Sequence, residues 1–229
     1  MSGTTRIYLV RHGATPLLAE DRFAGTTNVP LSDEGREQVR RLARRLASQP
    51  IAAFYASPMD RTMETAAILA EPHGKEVQPD AGLKEIDHGR WEGMARREVE
   101  RVYPEEFARW ETDPFSYAPK GGESGLAVTA RALPALLRIV AAHEKEHVLV
   151  ASHKATLRLL ISTLLGFDPR SYRDRLDQSP AALNILDFRD PTRARLTLFN
   201  DTSHYSEGTA AAIPSEPAAR LSKWWDRSG

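Results

Sequence analysis

Three times in this chain a short apolar run stops at a turn that carries charge or imidazole, and a helix-like pattern follows. Ile7-Tyr8-Leu9-Val10 ends in Arg11-His12-Gly13. Ile51 to Ala56 ends in Ser57-Pro58-Met59-Asp60, with Arg61 just beyond. His147-Val148-Leu149-Val150-Ala151 ends in Ser152-His153-Lys154. Short apolar runs closed by turn residues read as buried strands. Strands alternating with helical periodicity imply an α/β fold with a doubly wound, mostly parallel sheet. Open sheets of that kind hold their ligands at the carboxyl edge of the strands, so the recurrence predicts a fold and a place for a site together.

The rest of the chain fills in this frame. Ser32 reads as an N-cap with Asp33 and Glu34 in the positive first turn of a helix, and Val39, Leu42, Ala43 and Leu46 form its apolar face. A short strand near Val77 leads to the segment from Lys84 to His88, in which Ile86 is the only strong apolar residue; it reads as a loop at the rim of a site. Residues 97–103 and, after Pro104, 105–111 are polar enough to form a helical cap, and 114–122 is a loop punctuated by proline and glycine. Gly121-Gly122-Glu123-Ser124 opens a long helix with Val128, Leu133, Leu136, Leu137 and Val140 inward. A helix over 155–165 closes at Gly166, a suitable C′ residue. Strand-like runs over 182–188 and 194–199 bring the sheet to six strands. The expected organisation is one domain over 1–206, with a cap insertion at about 90–122 and a loosely ordered tail over 207–229 that carries Trp224-Trp225.

Composition limits the partners. Lys plus Arg equals Asp plus Glu at 31 each, so no overall field draws the protein to nucleic acid or to an anionic membrane, and any anion specificity must be local. The chain has no cysteine. That removes disulfides, thiolate metal sites and cysteine nucleophiles, and it fits a reducing compartment. The first residues lack a hydrophobic signal core, and no later apolar run approaches the ~20 residues of a membrane span. A cytoplasmic protein is expected.

The three strand ends supply Arg11, His12, Arg61 and His153, and the 84–88 loop supplies Glu85. Two imidazoles, two guanidiniums and one carboxyl group are the parts that phosphoryl transfer through a phosphohistidine requires: a nucleophile, cations for the equatorial oxygens and an acid for the leaving alkoxide. The order of motifs also carries a resemblance. Arg11-His12-Gly13-Ala14-Thr15, Pro30-Leu31-Ser32 with Gly35 and Gln38, Ser57-Pro58 with Arg61 and Thr65, Leu83-Lys84-Glu85, Gly121-Gly122-Glu123-Ser124 and Ser152-His153 resemble the ordered motifs of the histidine phosphatase superfamily, which includes phosphoglycerate mutases. Glu85-Ile86-Asp87-His88-Gly89 with Trp91 and Gly93, and Tyr103-Pro104-Glu105 with Arg109-Trp110, are most similar to the metal-independent phosphoserine phosphatases.

The resemblance implies that His12 is phosphorylated, that Arg11, Arg61 and His153 bind phosphoryl oxygens, and that Glu85 acts as acid and then as base. It places Ala24, Gly25 and His88 against the substrate, a small phosphorylated metabolite with phosphoserine leading, and implies no metal and no cofactor; Lys154, a departure from the family pattern, is a long cation that either binds a substrate carboxylate or second phosphate or points to solvent. Flanking guanidiniums are expected to keep His12 unprotonated near neutral pH, with its other ring nitrogen donating to a backbone carbonyl. The chain carries Leu17-Leu18 where many members have tryptophan and asparagine, Lys154 where most have glycine, and Asn28 where aspartate is common. A homodimer fits an apolar cap or tail.

Taken singly, each residue has a plainer reading. His153 caps a helix or satisfies a buried carbonyl, Arg61 is a surface charge paired with Glu64, Glu85 is a solvated loop carboxylate, and His88 is a rim residue. One active site explains the set together. Its rivals are a mutase or a sugar-phosphate or ribazole-phosphate phosphatase of the same family, and a non-catalytic phospho-ligand binder.

Overall fold

Seven consecutive buried residues make Thr5–Arg11 the central strand, β1, and the pleat sends their side chains alternately to two faces. The computed structural model describes residues 3–16 and 22–206; Leu17-Leu18 and the 207–229 tail lie outside the described residues. The other strands are β2 (Ile51–Ala56), β3 (Val77–Pro79), β4 (His147–Ser152), β5 (Leu183–Asp190) and β6 (Arg193–Asp201), in the spatial order β3-β2-β4-β1-β5-β6. β3, β2, β4 and β1 run parallel, β5 runs antiparallel to β1, and β6, antiparallel to β5, returns to the direction of β1. The expected six-stranded, mostly parallel sheet therefore forms. The β5–β6 pairing is antiparallel because the link between the two strands is two residues long, and a turn that short can only join antiparallel strands.

Helices cover both faces. Tyr8 and Val10 pack with Val39, Leu42 and Leu46 of α1 (Asp33–Leu46) and Leu69 of α2 (Asp60–Ala70). Ile7 and Leu9 pack with Leu136 and Ile139 of the helix Gly125–Ala142 and Leu157 and Leu160 of the helix Lys154–Leu165. Ser32 caps α1 by accepting from the Gly35 N–H at 3.1 Å, Ser124 does the same for Ala127 at 3.2 Å, and Gly166 ends its helix in the left-handed region at φ 71°.

Two expectations shift. In Gly125–Ala142 the fully covered stripe is Val128, Ala132, Ala135, Leu136, Ile139 and Val140, while Leu133 and Leu137 are only partly buried. Contrary to the reading that no run approaches a membrane span, this helix is long and apolar enough by length and composition, with a mean hydropathy of 1.5. Here its apolar stripe lies on the sheet.

Two further helices, α3 (Arg96–Val102) and α4 (Pro104–Thr112), form in the segment between β3 and β4. They bury a separate aromatic cluster of Phe23, Trp91, Val99, Phe107 and Trp110. In chain order Gly125–Ala142 is α5, Lys154–Leu165 is α6, and a last turn of helix, α7, spans Tyr172–Arg175.

Candidate active site

Sheet register sets the floor of the site. Arg11 of β1 pairs with Ser152 of β4, and the His12 N–H donates to the Ser152 carbonyl at 3.0 Å. The next residue of each strand is thus a histidine, held about one inter-strand spacing apart, ~4.8 Å. Their rings meet edge to face with centroids 5.3 Å apart. On the other side of β4, Ala56 pairs with Ala151, which brings Ser57 level with Ser152, and Nε2 of the next residue, His153, lies 2.8 Å from the Ser57 hydroxyl. His153 is the N-cap residue of α6, but its ring makes no capping bond, so the plain capping account does not describe it.

Nδ1 of His12 is 2.8 Å from the Gly13 carbonyl. A carbonyl can only accept, so Nδ1 carries the proton and the Nε2 lone pair is free. Burial, then the Arg11 and Arg61 charges, hold the His12 imidazole well below its ordinary pKa. Burial, then His12 and the same two guanidiniums, do likewise for His153. Both rings are neutral at pH 7. The turn is tight because two glycines meet: a Cβ on Gly13 would stand 2.6 Å from the Gly35 carbonyl oxygen.

Arg11 is buried; one of its terminal nitrogens donates to the Gln178 carbonyl and Nε has no partner. Burial lowers its pKa to about 10, which leaves it cationic. Arg61 is 2% exposed. It is not paired with Glu64, which binds Arg36 at 2.6 Å and the Leu31 N–H at 3.2 Å. Arg61 instead donates to the carbonyls of Thr27 at 2.8 Å and Gly25 at 2.7 Å, so it braces the 24–27 loop from below.

Glu85 is not a free loop carboxylate. It accepts from the N–H groups of Ile86 at 2.9 Å, Ala155 at 3.1 Å and Thr156 at 3.2 Å, which aims it along the first turn of α6, next to His153. The loop that carries it is anchored by Ile86, 2% exposed against Val128, Leu159 and Tyr172. His12, Arg11, Arg61, His153 and Glu85 thus converge on one end of the sheet.

Ala24, His88 and Lys154 line a cleft of about 220 Å³ beside Glu85, together with Arg22, Phe23, Trp110, Arg158 and Tyr172. His88 meets Phe23 edge to face with centroids 4.8 Å apart, and among the described residues its buried Nδ1 has no partner. Gly25 sits behind this wall, where a Cβ would stand 1.9 Å from the Ile86 carbonyl oxygen. Asn28 lies at the edge, its side-chain oxygen accepting from the Asp60 N–H at 2.9 Å.

Sequence reasoning missed the residues that hold these groups in place. Glu92 accepts from the N–H groups of Gly25, Thr26, Thr27 and His88 and from the Thr27 hydroxyl. Arg131 of α5 grips the carbonyls of Gly82, Lys84 and Glu85 and the Glu123 carboxylate. No local spacing links 92 to 25 or 131 to 85, so nothing in the sequence marked either. No sequence motif singled out Arg22, Arg96, Arg158 or Arg173, which the fold gathers around the cleft.

Residues 7–202 match the model of the family described as "Histidine phosphatase superfamily (branch 1)". The chain is 36% identical to "Phosphoserine phosphatase 1" of Hydrogenobacter thermophilus, over 71% of this chain and 77% of that protein. It is 33% identical to "Glucosyl-3-phosphoglycerate phosphatase" of Mycolicibacterium vanbaalenii, over 70% of this chain and 74% of that protein. Among solved structures, "Bacillus stearothermophilus YhfR" aligns with a TM-score of 0.82 at 32% identity, covering 87% of this chain and 98% of that one.

Proposed function

The chain belongs to the histidine phosphatase superfamily, and on that premise we propose that it is a phosphoric monoester hydrolase acting through a phosphorylated His12, without a metal, on a small phosphorylated metabolite in the cytoplasm. O-phosphoserine is the leading substrate, supported by the relative of that name. The observation that carries the mechanism is the bond from His12 Nδ1–H to the Gly13 carbonyl, because it leaves Nε2 as a lone pair at the positive end of the sheet.

Nε2 attacks phosphorus; the N–P bond forms as the P–O bond to the alcohol breaks. Arg11, Arg61 and neutral His153 hold the three equatorial oxygens, where negative charge is spread in the transition state. Glu85 gives its proton to the departing alkoxide. Water then takes the alcohol's place, the carboxylate removes its proton as it attacks, and phosphate leaves with His12 restored. The amide grip on Glu85 fixes it on the side where the alcohol leaves and the water enters.

Inorganic phosphate release from a panel of phosphorylated amino acids, sugars and glycerates, run in excess chelator, tests this reading. Turnover that survives chelation, together with an acid-labile, base-stable phosphoprotein trapped by quenching, is the expected result. Dependence on added magnesium contradicts it. A net isomerisation of 3-phosphoglycerate that needs a priming bisphosphate points to the mutase chemistry of the same family instead.

A further inference from the structure

The cleft beside Glu85 is lined by five cationic side chains and one carboxylate. Arg22, Arg96, Lys154, Arg158 and Arg173 line it, and Glu85 is the carboxylate among the lining residues. That carboxylate is already engaged by the amides of α6. Arg96 and Arg173 share one counter-ion, Glu111. Arg158 meets Asp177 at 3.2 Å, an ion pair whose acidic member is 68% exposed, and Nε of Arg158 is buried with no partner. Lys154 is half-buried, and its ammonium makes no hydrogen bond or ion pair among the described residues.

Lys154 and Arg158 are four residues apart on α6 and therefore stand on one face, one turn apart. Two like charges so placed repel, and the anion paired with them, Asp177, meets Arg158 alone and is itself largely exposed. Burial, then the Arg158 and Arg11 charges, lower the pKa of the ammonium. Nothing in the fold demands this arrangement, since the first residue of a helix is open to any side chain and a cation there opposes the helix dipole. Phe23, Trp110 and Tyr172 add apolar surface to the same cleft, and Glu85, which lines it, and Lys154, the residue after His153, join it to the phosphoryl site.

Resting on the phosphatase reading, we infer that the substrate of this site carries a second anionic group, a carboxylate or a second phosphate, which Lys154 and Arg158 receive while the first phosphate lies on His12. The substrate class is then a short phosphomonoester with an anion at its other end, and simple alcohol phosphates are poor substrates.

Matched pairs of esters that differ by the anion alone test it. O-phosphoserine with O-phosphoethanolamine, and 3-phosphoglycerate with glycerol 3-phosphate, probe a carboxylate; fructose 1,6-bisphosphate with fructose 6-phosphate probes a second phosphate. At least one pair favours the dianionic member by about 10- to 100-fold in kcat/KM, the size of a charged hydrogen bond, with the difference in KM. Lys154→Ala brings that ratio within about threefold of unity and Lys154→Arg restores it. Whichever pair discriminates identifies the anion. Ratios below about threefold in every pair, or a ratio that Lys154→Ala leaves intact, overturn the inference. Calorimetric binding of the same pairs to His12→Ala, which cannot turn over, separates the two claims. Discrimination in binding without turnover by the native chain keeps the second-anion site and removes the phosphatase, whereas turnover without discrimination does the reverse.

Discussion

At the scale of single residues, the site depends on keeping two buried imidazoles neutral. Both His12 and His153 are held well below the ordinary imidazole value by burial and by neighbouring cations. When a group's pKa is lower in the fold than in the unfolded chain, the unfolded chain binds the extra proton below its own pKa, and stability falls as pH falls. The loss begins near pH ~6.5, where free imidazole titrates, and grows by about 1.4 kcal/mol per pH unit for each ring that stays neutral. Denaturant unfolding at pH 7.5, 6 and 5 is expected to show that decline, and His153→Asn to make it shallower; a flat profile across this window contradicts the buried neutral pair. The chemical role of Glu85 is read from kinetics. Glu85→Ala costs about 10²–10⁴-fold in turnover of an alkyl phosphate if it protonates the leaving group. With a p-nitrophenyl leaving group, which needs no proton, the loss shrinks. A loss of under about threefold on the alkyl ester removes Glu85 from that role.

At the scale of elements, the 24–27 loop belongs to no helix or strand, yet it is fixed from two sides, by Arg61 through its carbonyls and by Glu92 through its N–H groups. One carboxylate serves as the common acceptor for a turn that has no internal hydrogen-bond ladder. Glu92→Ala leaves those N–H groups without a protein partner and is expected to destabilise the fold by about 1–3 kcal/mol, the cost of an unsatisfied buried donor partly relieved by water. Hydrogen exchange should rise at residues 25–27 and 88 while the amides of β1 stay protected. Uniform exchange across the chain would show that Glu92 acts on global stability alone. This loop also shows why some of the site could be read in the sequence and some could not. His12, Arg61 and His153 each follow a strand, and the strand pattern is local, so their arrival at one edge was legible. Glu92 lies 67 residues from the amide it holds at Gly25, and only the folded chain brings them together. The cleft arginines were hidden for the same reason. Arg22 lies before α1, Arg96 in α3, Arg158 in α6 and Arg173 in α7, and no local pattern ties one to another.

At the scale of the whole molecule, the parallel part of the sheet was legible because βα units repeat a local rhythm, whereas the reversal at β5 depends on a partner far away in the chain. That partner is β1, and the junction includes a buried ion pair. Arg6 and Asp187 face each other in the register and bond through two guanidinium nitrogens at 2.6 and 2.8 Å, with the carboxylate side chain fully enclosed. The pair ties the first strand to the fifth across 181 positions. Its net contribution is small, because the attraction offsets the loss of hydration, but breaking it leaves one charge buried alone. Asp187→Ala is therefore expected to cost about 3–5 kcal/mol, and Arg6→Met combined with Asp187→Leu to recover most of that loss by replacing both charges with apolar side chains of similar volume. Chemical unfolding of the two variants decides between this account and a simple contact sum. If the double variant is as unstable as Asp187→Ala, the pair contributes attraction in its own right, and the antiparallel end of the sheet depends on that charge contact rather than on the apolar packing around it.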